Sequence, residues 1–423
     1  MKKVIGALIC AAICWGQAPE RMTLEQAEKI AAKNHPAVDA ALLAALAANQ
    51  VTIEVRAAHF PSLFGSVTAA GAMDGTRLAA GGLNNPVIYN RIASGFTAGQ
   101  MLTDFGRTSN LVAQANERAA ARRDDAQATR AQIVLQVDRA YFAALRSRGV
   151  LTVAQQTVKA RQVVVDQVTA LAGSQMKSGL DVSFAKVNLA EAKLLLSSAE
   201  NEAAASLAEL SAALGYSSSR EFELEDAPAP PDLVMPLADL TAAALRHRPD
   251  AAALREEQNA AQSLVRAERS LRFPTISALA SVGVVPGSEQ DQLRGRYGAL
   301  GFNVNFPILN GRLYSARRTE AEFRAQAAQK ILTDLENRIA RDVHVALLNA
   351  HTARERVDLT AELLSQASQA LDLAQTRYDL GLSSIVELSQ AQLNQTSAQI
   401  ASVTARYDYQ LLRAVLSYQL GEK

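Results

Sequence analysis

Five histidines and two cysteines are the residues of this 423-residue chain best suited to hold a metal or attack a substrate. Their spacing argues against both. His344 and His351 share a helix face about 10 Å apart, too far to ligate one ion, and no HExxH pattern accompanies them. His35, His59 and His247 stand near expected helix ends, as caps or surface residues. Cys10 and Cys14 both lie in the first eighteen residues. No GxSxG, Walker or GxGxxG pattern occurs. The adjacent pairs Arg122-Arg123 and Asp124-Asp125 read as a solvated helix face. The expectation is a protein that is not an enzyme, with no catalytic residue, cofactor or metal.

The composition narrows the class. Charges nearly cancel at +1, with 43 basic and 42 acidic residues, so no net field recruits a nucleic acid. Aromatic residues make up only 5%, while Ala, Gln, Glu, Arg and Leu, all good helix formers, dominate long stretches. Such a chain suits long helices packed closely side by side.

The first residues read as a secretory signal. Lys2 and Lys3 precede the apolar run Val4 to Trp15, which falls short of the ~20 residues of a membrane-spanning helix. Gly16 and Ala18 offer a small-x-small cleavage site, although Pro19 follows awkwardly. A lipid anchor wants a small residue before its cysteine, and Ile9 and Ile13 stand there instead. Cleavage at Ala18 would leave no cysteine, and so no disulfide or thiolate chemistry. No later run of 18 consecutive apolar residues exists, so no helix of the chain is expected to span a bilayer.

The positioning elements are written twice. MTLEQAEKIAAKNHPAV begins at Met22 and MPLADLTAAALRHRPDA at Met235. Pro36 matches Pro249, Arg56 matches Arg269, and Phe60-Pro61 matches Phe273-Pro274. Gly95-Phe96 matches Gly301-Phe302, and Leu214-Gly215 matches Leu420-Gly421. Each half reads as a helix, two strands, a very long helix, a glycine tip and a returning helix. The expected boundaries are a signal peptide over 1–18, a first repeat over 19–234 with a connector at 216–234, and a second repeat over 235–423.

The strands alternate. Thr275 to Val285 puts Ile276, Ala278, Ala280, Val282 and Val284 on one face. Tyr297 to Phe306 opposes Leu300, Phe302 and Val304 to Asn303 and Asn305. SLFGSVTA opposes Leu63 and Val67 to Ser62, Ser66 and Thr68. One such strand suits a half-exposed soluble sheet. Four of them, as two similar pairs in an exported chain, suit a membrane barrel wall. Four strands cannot close a barrel, and an open edge in lipid is forbidden, so other copies must complete it.

The helices are rods. From Arg107 to Met176 there is no Pro, and Gly only at 149 and 173. The run from Arg312 to Tyr378 has neither. Leu151, Val158 and Val165 recur every seven residues, with Ala154 and Val168 between them and Arg161 breaking the row. Val357, Leu364, Leu371 and Tyr378 recur likewise. A seven-residue period means helices packed along their length. Gly179 and Gly381 are matched, and read as the positive-φ turns of two hairpins rather than kinks. Asp181 and Ser383 are the expected N-caps of the returning arms.

In this layout, and above all in RYDLGLSSIVELSQAQ, QMLTDFGR and FPILNGR, the chain resembles the TolC family of trimeric outer-membrane efflux channels. The resemblance covers almost the whole mature chain. It implies a mainly α fold with a small β-barrel portion: long helical hairpins forming a trimeric α-barrel tube, and four antiparallel strands per chain completing a twelve-stranded membrane barrel. It implies a homotrimer in the Gram-negative outer membrane with a long periplasmic extension, in contact with outer-membrane lipid. It would conduct drugs or other solutes passively, served by a periplasmic adaptor and an inner-membrane transporter.

The resemblance also implies a pore constriction after the second tip glycine. Glu387 falls at a position where carboxylates often stand, and Gln390 where a second one stands in some members. Gly179-based alignment puts Ala185 opposite Glu387, so a single ring of three Glu387 side chains is expected. Lys177, Ser178, Gly179, Leu180, Asp379, Gly381, Leu382 and Ser384 are the expected hairpin-tip and adaptor contacts. Two rivals stay open: the exit duct of a protein-secretion system, and a periplasmic coiled-coil structural or adaptor protein.

Overall fold

A computed structural model describes residues 20–71, 73, 90–228, 235–288 and 295–423. The expected signal peptide lies outside the described residues, as do positions 229–234 of the expected connector. The first half runs β1 (Glu20–Met22), α1 (Leu24–Asn34), α2 (Pro36–Arg56), a 3-10 turn (Ala57–His59), β2 (Ser62–Ala70), β3 (Arg91–Thr103), α3 (Arg107–Gly173) and α4 (Gly179–Ala213). After β4 (Phe222–Leu224) the second half runs α5 (Leu237–His247), α6 (Pro249–Ser270), β5 (Thr275–Ser288), β6 (Gly295–Asn305), α7 (Leu313–Asp379) and α8 (Ile385–Leu420). The chain divides into two compact units, each drawing on both halves; α3 and α7 run through both.

One unit holds the strands. Its sheet has the order β2-β3-β5-β6, with every neighbouring pair antiparallel. Register decides its two faces, because a one-residue slip would exchange them. Leu63, Ala98, Ala280 and Leu300 are level across the four strands, and Phe96, Val282, Phe302 and Val304 share their face. The opposite face carries Ser66, Thr97, Ser281, Asn303 and Asn305. Leu300 is 75% exposed and Phe302 71%, so among the described residues nothing covers this apolar face. On the polar face the Tyr297 ring fills the space above Gly95 and Gly283. A Cβ on either glycine would collide with it and with neighbouring backbone. The aromatic supplies the packing that two glycines in a strand would otherwise forfeit.

At the entry to α3 the carboxylate of Asp104 accepts from the Thr108 amide at 2.7 Å and the Thr108 hydroxyl at 2.6 Å. It satisfies donors that a helix start leaves orphaned. Phe105 packs on Phe273, ring centres 5.5 Å apart, at the two strand–helix corners.

Helix α2 corrects one expectation. The stretch Pro36–His59 is long and apolar enough to cross a membrane by length and composition. Asp39, Asn49, Gln50, Thr52 and Glu54 interrupt the apolar run but leave the average high. Leu42, Leu43 and Leu46 stand exposed on it.

The other unit holds a belt and the hairpin tips. In the belt β1 pairs in parallel with β4, placing Met22 opposite Leu224. Met22, Val137, Tyr141, Leu210, Leu214, Phe222 and Leu224 share one buried core. The Tyr141 hydroxyl lies 2.8 Å from the Met22 carbonyl and 2.7 Å from the Glu225 carbonyl, tying α3 to both strands. Its burial pushes the phenol up to about 12. Nearby, Lys423 Nζ bridges Glu28 and the fully buried side chain of Asp138, at 2.5 Å to each. Burial is the largest influence on Asp138 and pushes its carboxyl up to about 7 against the pull of Lys423.

The heptad seams face inward. Toward the tip end of α7 the buried residues are Ala353, Ala367, Ala374 and Tyr378, spaced by seven or multiples of it apart from Tyr378, with Val357, Leu364 and Leu371 half-buried beside them. Small residues there allow helices to approach closely, and the long helices bury through that stripe rather than through propensity alone.

Candidate functional site at the hairpin tips

Both tips belong to the same compact unit. At the second tip α7 stops because Gly381 adopts φ 73°, a left-handed conformation that costs Gly little. The Gly381 amide donates to the Tyr378 carbonyl and the Leu382 amide to that of Arg377, at 2.8 Å. These two bonds close the helix end in a Schellman pattern. Ser384 then caps α8, accepting from the Glu387 amide.

The first tip repeats the design with different residues. Here the left-handed residue is Gln175, at φ 64°. Its amide donates to Ala172 and that of Met176 to Leu171, at 2.9 Å. Ser178 caps α4 in a capping box with Asp181, which accepts from the Ser178 amide at 3.0 Å and hydroxyl at 2.9 Å. Three expectations are corrected. Gly179 is not the turn residue but the first residue of α4. Ser178 and Ser384, not Asp181 and Ser383, are the N-caps. The position equivalent to Glu387 is therefore Asp181, since each is the third residue of its helix, and not Ala185. The S-x-x-D spacing of Ser178 and Asp181 is a helix-start signature that would have found this.

The tips are held together from within. Val168, Tyr378, Ile385 and Leu388 form a buried cluster, with Val164, Val182 and Leu371 packed on it. Lys177 Nζ stands 3.9 Å from the centre of the Tyr378 ring, a geometry in which the cation meets the negative ring face. Gln167 donates to Asp379, which also accepts from Gln375. Burial raises the Tyr378 phenol, and the charges of Asp181 and Asp379 add to the rise.

The expected site residues lie at or next to the tips. Ser178, Gly179, Leu180, Asp379, Gly381, Leu382 and Ser384 are exposed and Lys177 half-buried. Glu387 and Gln390 are exposed one turn apart on α8. Glu387 is not isolated: its Oε1 lies 3.2 Å from Arg377 Nε across the turn. Gln390 donates to Asn394 at 2.9 Å. Among the described residues no three His, Cys, Asp or Glu gather as a metal site. What the tip can do chemically is present charge and hydrogen-bonding groups to what passes or docks.

The family model described as outer membrane efflux protein matches residues 29–216 and 240–422. The chain belongs to the outer membrane efflux protein family. Two relatives are the outer membrane efflux protein BepC of Brucella suis, 24% identical over 77% of this chain and 70% of BepC, and the outer membrane protein OprJ of Pseudomonas aeruginosa, 24% identical over 78% and 71%. The solved outer-membrane channel OprN shares the fold with a TM-score of 0.82 at 18% identity, covering 95% of this chain and 90% of that one. As an outer membrane efflux protein the chain is a TolC-like transport component of the Gram-negative outer membrane. It serves there as the outer-membrane duct of an efflux system.

Proposed function

We propose that three copies of this chain close a twelve-stranded barrel in the outer membrane, continued by a periplasmic tube of helical hairpins. The observation that carries this reading is the sheet: among the described residues its apolar face has no cover and its edges, β2 and β6, are unpaired. Open edges cannot stand in lipid, and β2 of one copy beside β6 of the next removes both at once. The mature chain begins after a signal peptide over 1–18 and carries its two repeats over 19–234 and 235–423. Small molecules pass without energy input from the duct itself. An inner-membrane transporter drives them, and a periplasmic adaptor grips the exposed tips around Lys177, Ser178, Gly179, Leu180, Asp379, Gly381, Leu382 and Ser384. Glu387 and Gln390 line the narrowest part of the pore.

The test is assembly. Purified from outer membranes in mild detergent, the protein should have the mass of a trimer that resists dodecyl sulfate until heated. A detergent-free soluble monomer would overturn the reading. Deletion of the gene should sensitise cells to several unrelated small toxins; loss of one secreted protein with no change in sensitivity would instead identify a protein-secretion duct.

A further inference from the structure

The heptad-breaking residue Arg161 is 7% exposed. Among the described residues it makes no hydrogen bond and no ion pair. A guanidinium carries five donors, and those of Arg161 open onto the space that it lines instead of onto a protein acceptor. Arg161 lines a cavity of about 330 Å³ between α3, α4 and α8, close to the tips. Asn188, Ser389 and Gln390 line it too, with Glu191 as its only acidic residue. That volume exceeds the ~30 Å³ share of a single water several-fold. Ser389 accepts from Asn188 Nδ2 at 2.6 Å, which leaves its own hydroxyl proton free to donate. The second amide proton of Gln390 is free as well, since a single bond to Asn394 uses only one. Burial lowers the guanidinium and Glu191 opposes that, too far away to pair but close enough to favour the charged form.

We propose that this cavity is a binding site for a small oxyanion, an inorganic phosphate or a simple carboxylate, held by Arg161 with Ser389 and Gln390. A planar guanidinium with hydroxyl and amide donors beside it matches the geometry of such anions. Occupancy joins α3 to α8 through one ion, with α4 tied in by the Asn188–Ser389 bond, and stiffens the hairpins just above their tips. This inference shares Gln390 with the proposed constriction and otherwise stands apart from the proposed assembly.

Phosphate is titrated into the detergent-purified protein at constant ionic strength, with chloride as the balancing anion, and thermal unfolding is followed by circular dichroism. The expected result is a saturable rise in the unfolding midpoint with phosphate that chloride does not give. Arg161→Met should abolish the response. Ser389→Ala should weaken apparent affinity about tenfold, the loss of one hydrogen bond to a charged group. Glu191→Gln should tighten it by removing a like charge. Equal effects of phosphate and chloride, or an unchanged response in Arg161→Met, overturn the proposal. Should Arg161→Met not fold, unchanged affinity in both Ser389→Ala and Glu191→Gln overturns it equally.

Discussion

Gln175 and Gly381 hold the same place in the two hairpin tips, each three residues before an N-capping serine, with φ 64° and 73°. A side chain in that conformation costs about 1 kcal/mol or more. Gln175→Gly should therefore stabilise the first tip, and Gly381→Ala should loosen the second, by about that amount. Gly179→Ala should be neutral or slightly stabilising, because Gly179 is helical and a Cβ there meets nothing. Hydrogen exchange of the tip amides reads all three. Equal protection in Gly381→Ala and Gly179→Ala would contradict the assignment of the turn.

Arg377 and Glu387 set the charge of the proposed constriction. Glu387→Gln should reduce cation preference and divalent block in single-channel recordings. Arg377→Gln should do the opposite, by leaving the carboxylate without its 3.2 Å neighbour. Both groups are half-exposed, so screening keeps each change to a few-fold in permeability ratio. Conductance unaltered by both changes would remove Glu387 from the pore.

Leu300 and Asn303 lie on opposite faces of β6. Arginine at 300 should sharply lower the yield of assembled protein in the outer membrane, with a cost of about 2–4 kcal/mol near the bilayer midplane. Arginine at 303, on the polar face, should be tolerated. Quantifying heat-resistant oligomer in membrane fractions separates the two, and equal yields would mean that the faces are assigned wrongly.

Asp138 gives a pH dependence. Its carboxyl titrates near 7 in the fold and near ~3.9 in an unfolded chain. The fold thus holds the proton more tightly, so this group favours folding at acid pH and that contribution is lost as pH rises through 7. Asp138→Asn should flatten the fall in unfolding temperature between about pH 4 and pH 7. Lys423, which is raised, contributes in the alkaline range and does not confound that window. An identical pH profile in wild type and variant would refute the assignment.

The strands and long helices were legible because their periods are unambiguous. Alternation marked β5 and β6 to within three residues, and the seven-residue row marked α7. The second tip was legible through Gly381. The first was not, because a glutamine in a left-handed conformation leaves no compositional trace and nearby Gly179 drew the turn to itself. The belt strands β1 and β4 are three residues each, too short to show a period. Arg161 stood out as a flaw in the heptad row, but only the packed helices reveal the cavity beside it.

The pairing of β1 with β4 carries a consequence for biogenesis. Met22 finds Leu224 only after some two hundred intervening residues have been made and exported, and pairings so distant in sequence form slowly. The first strand to emerge must therefore wait, unpaired, until half the polypeptide has crossed the inner membrane. During that interval the nascent end is open to pairing with a neighbouring chain.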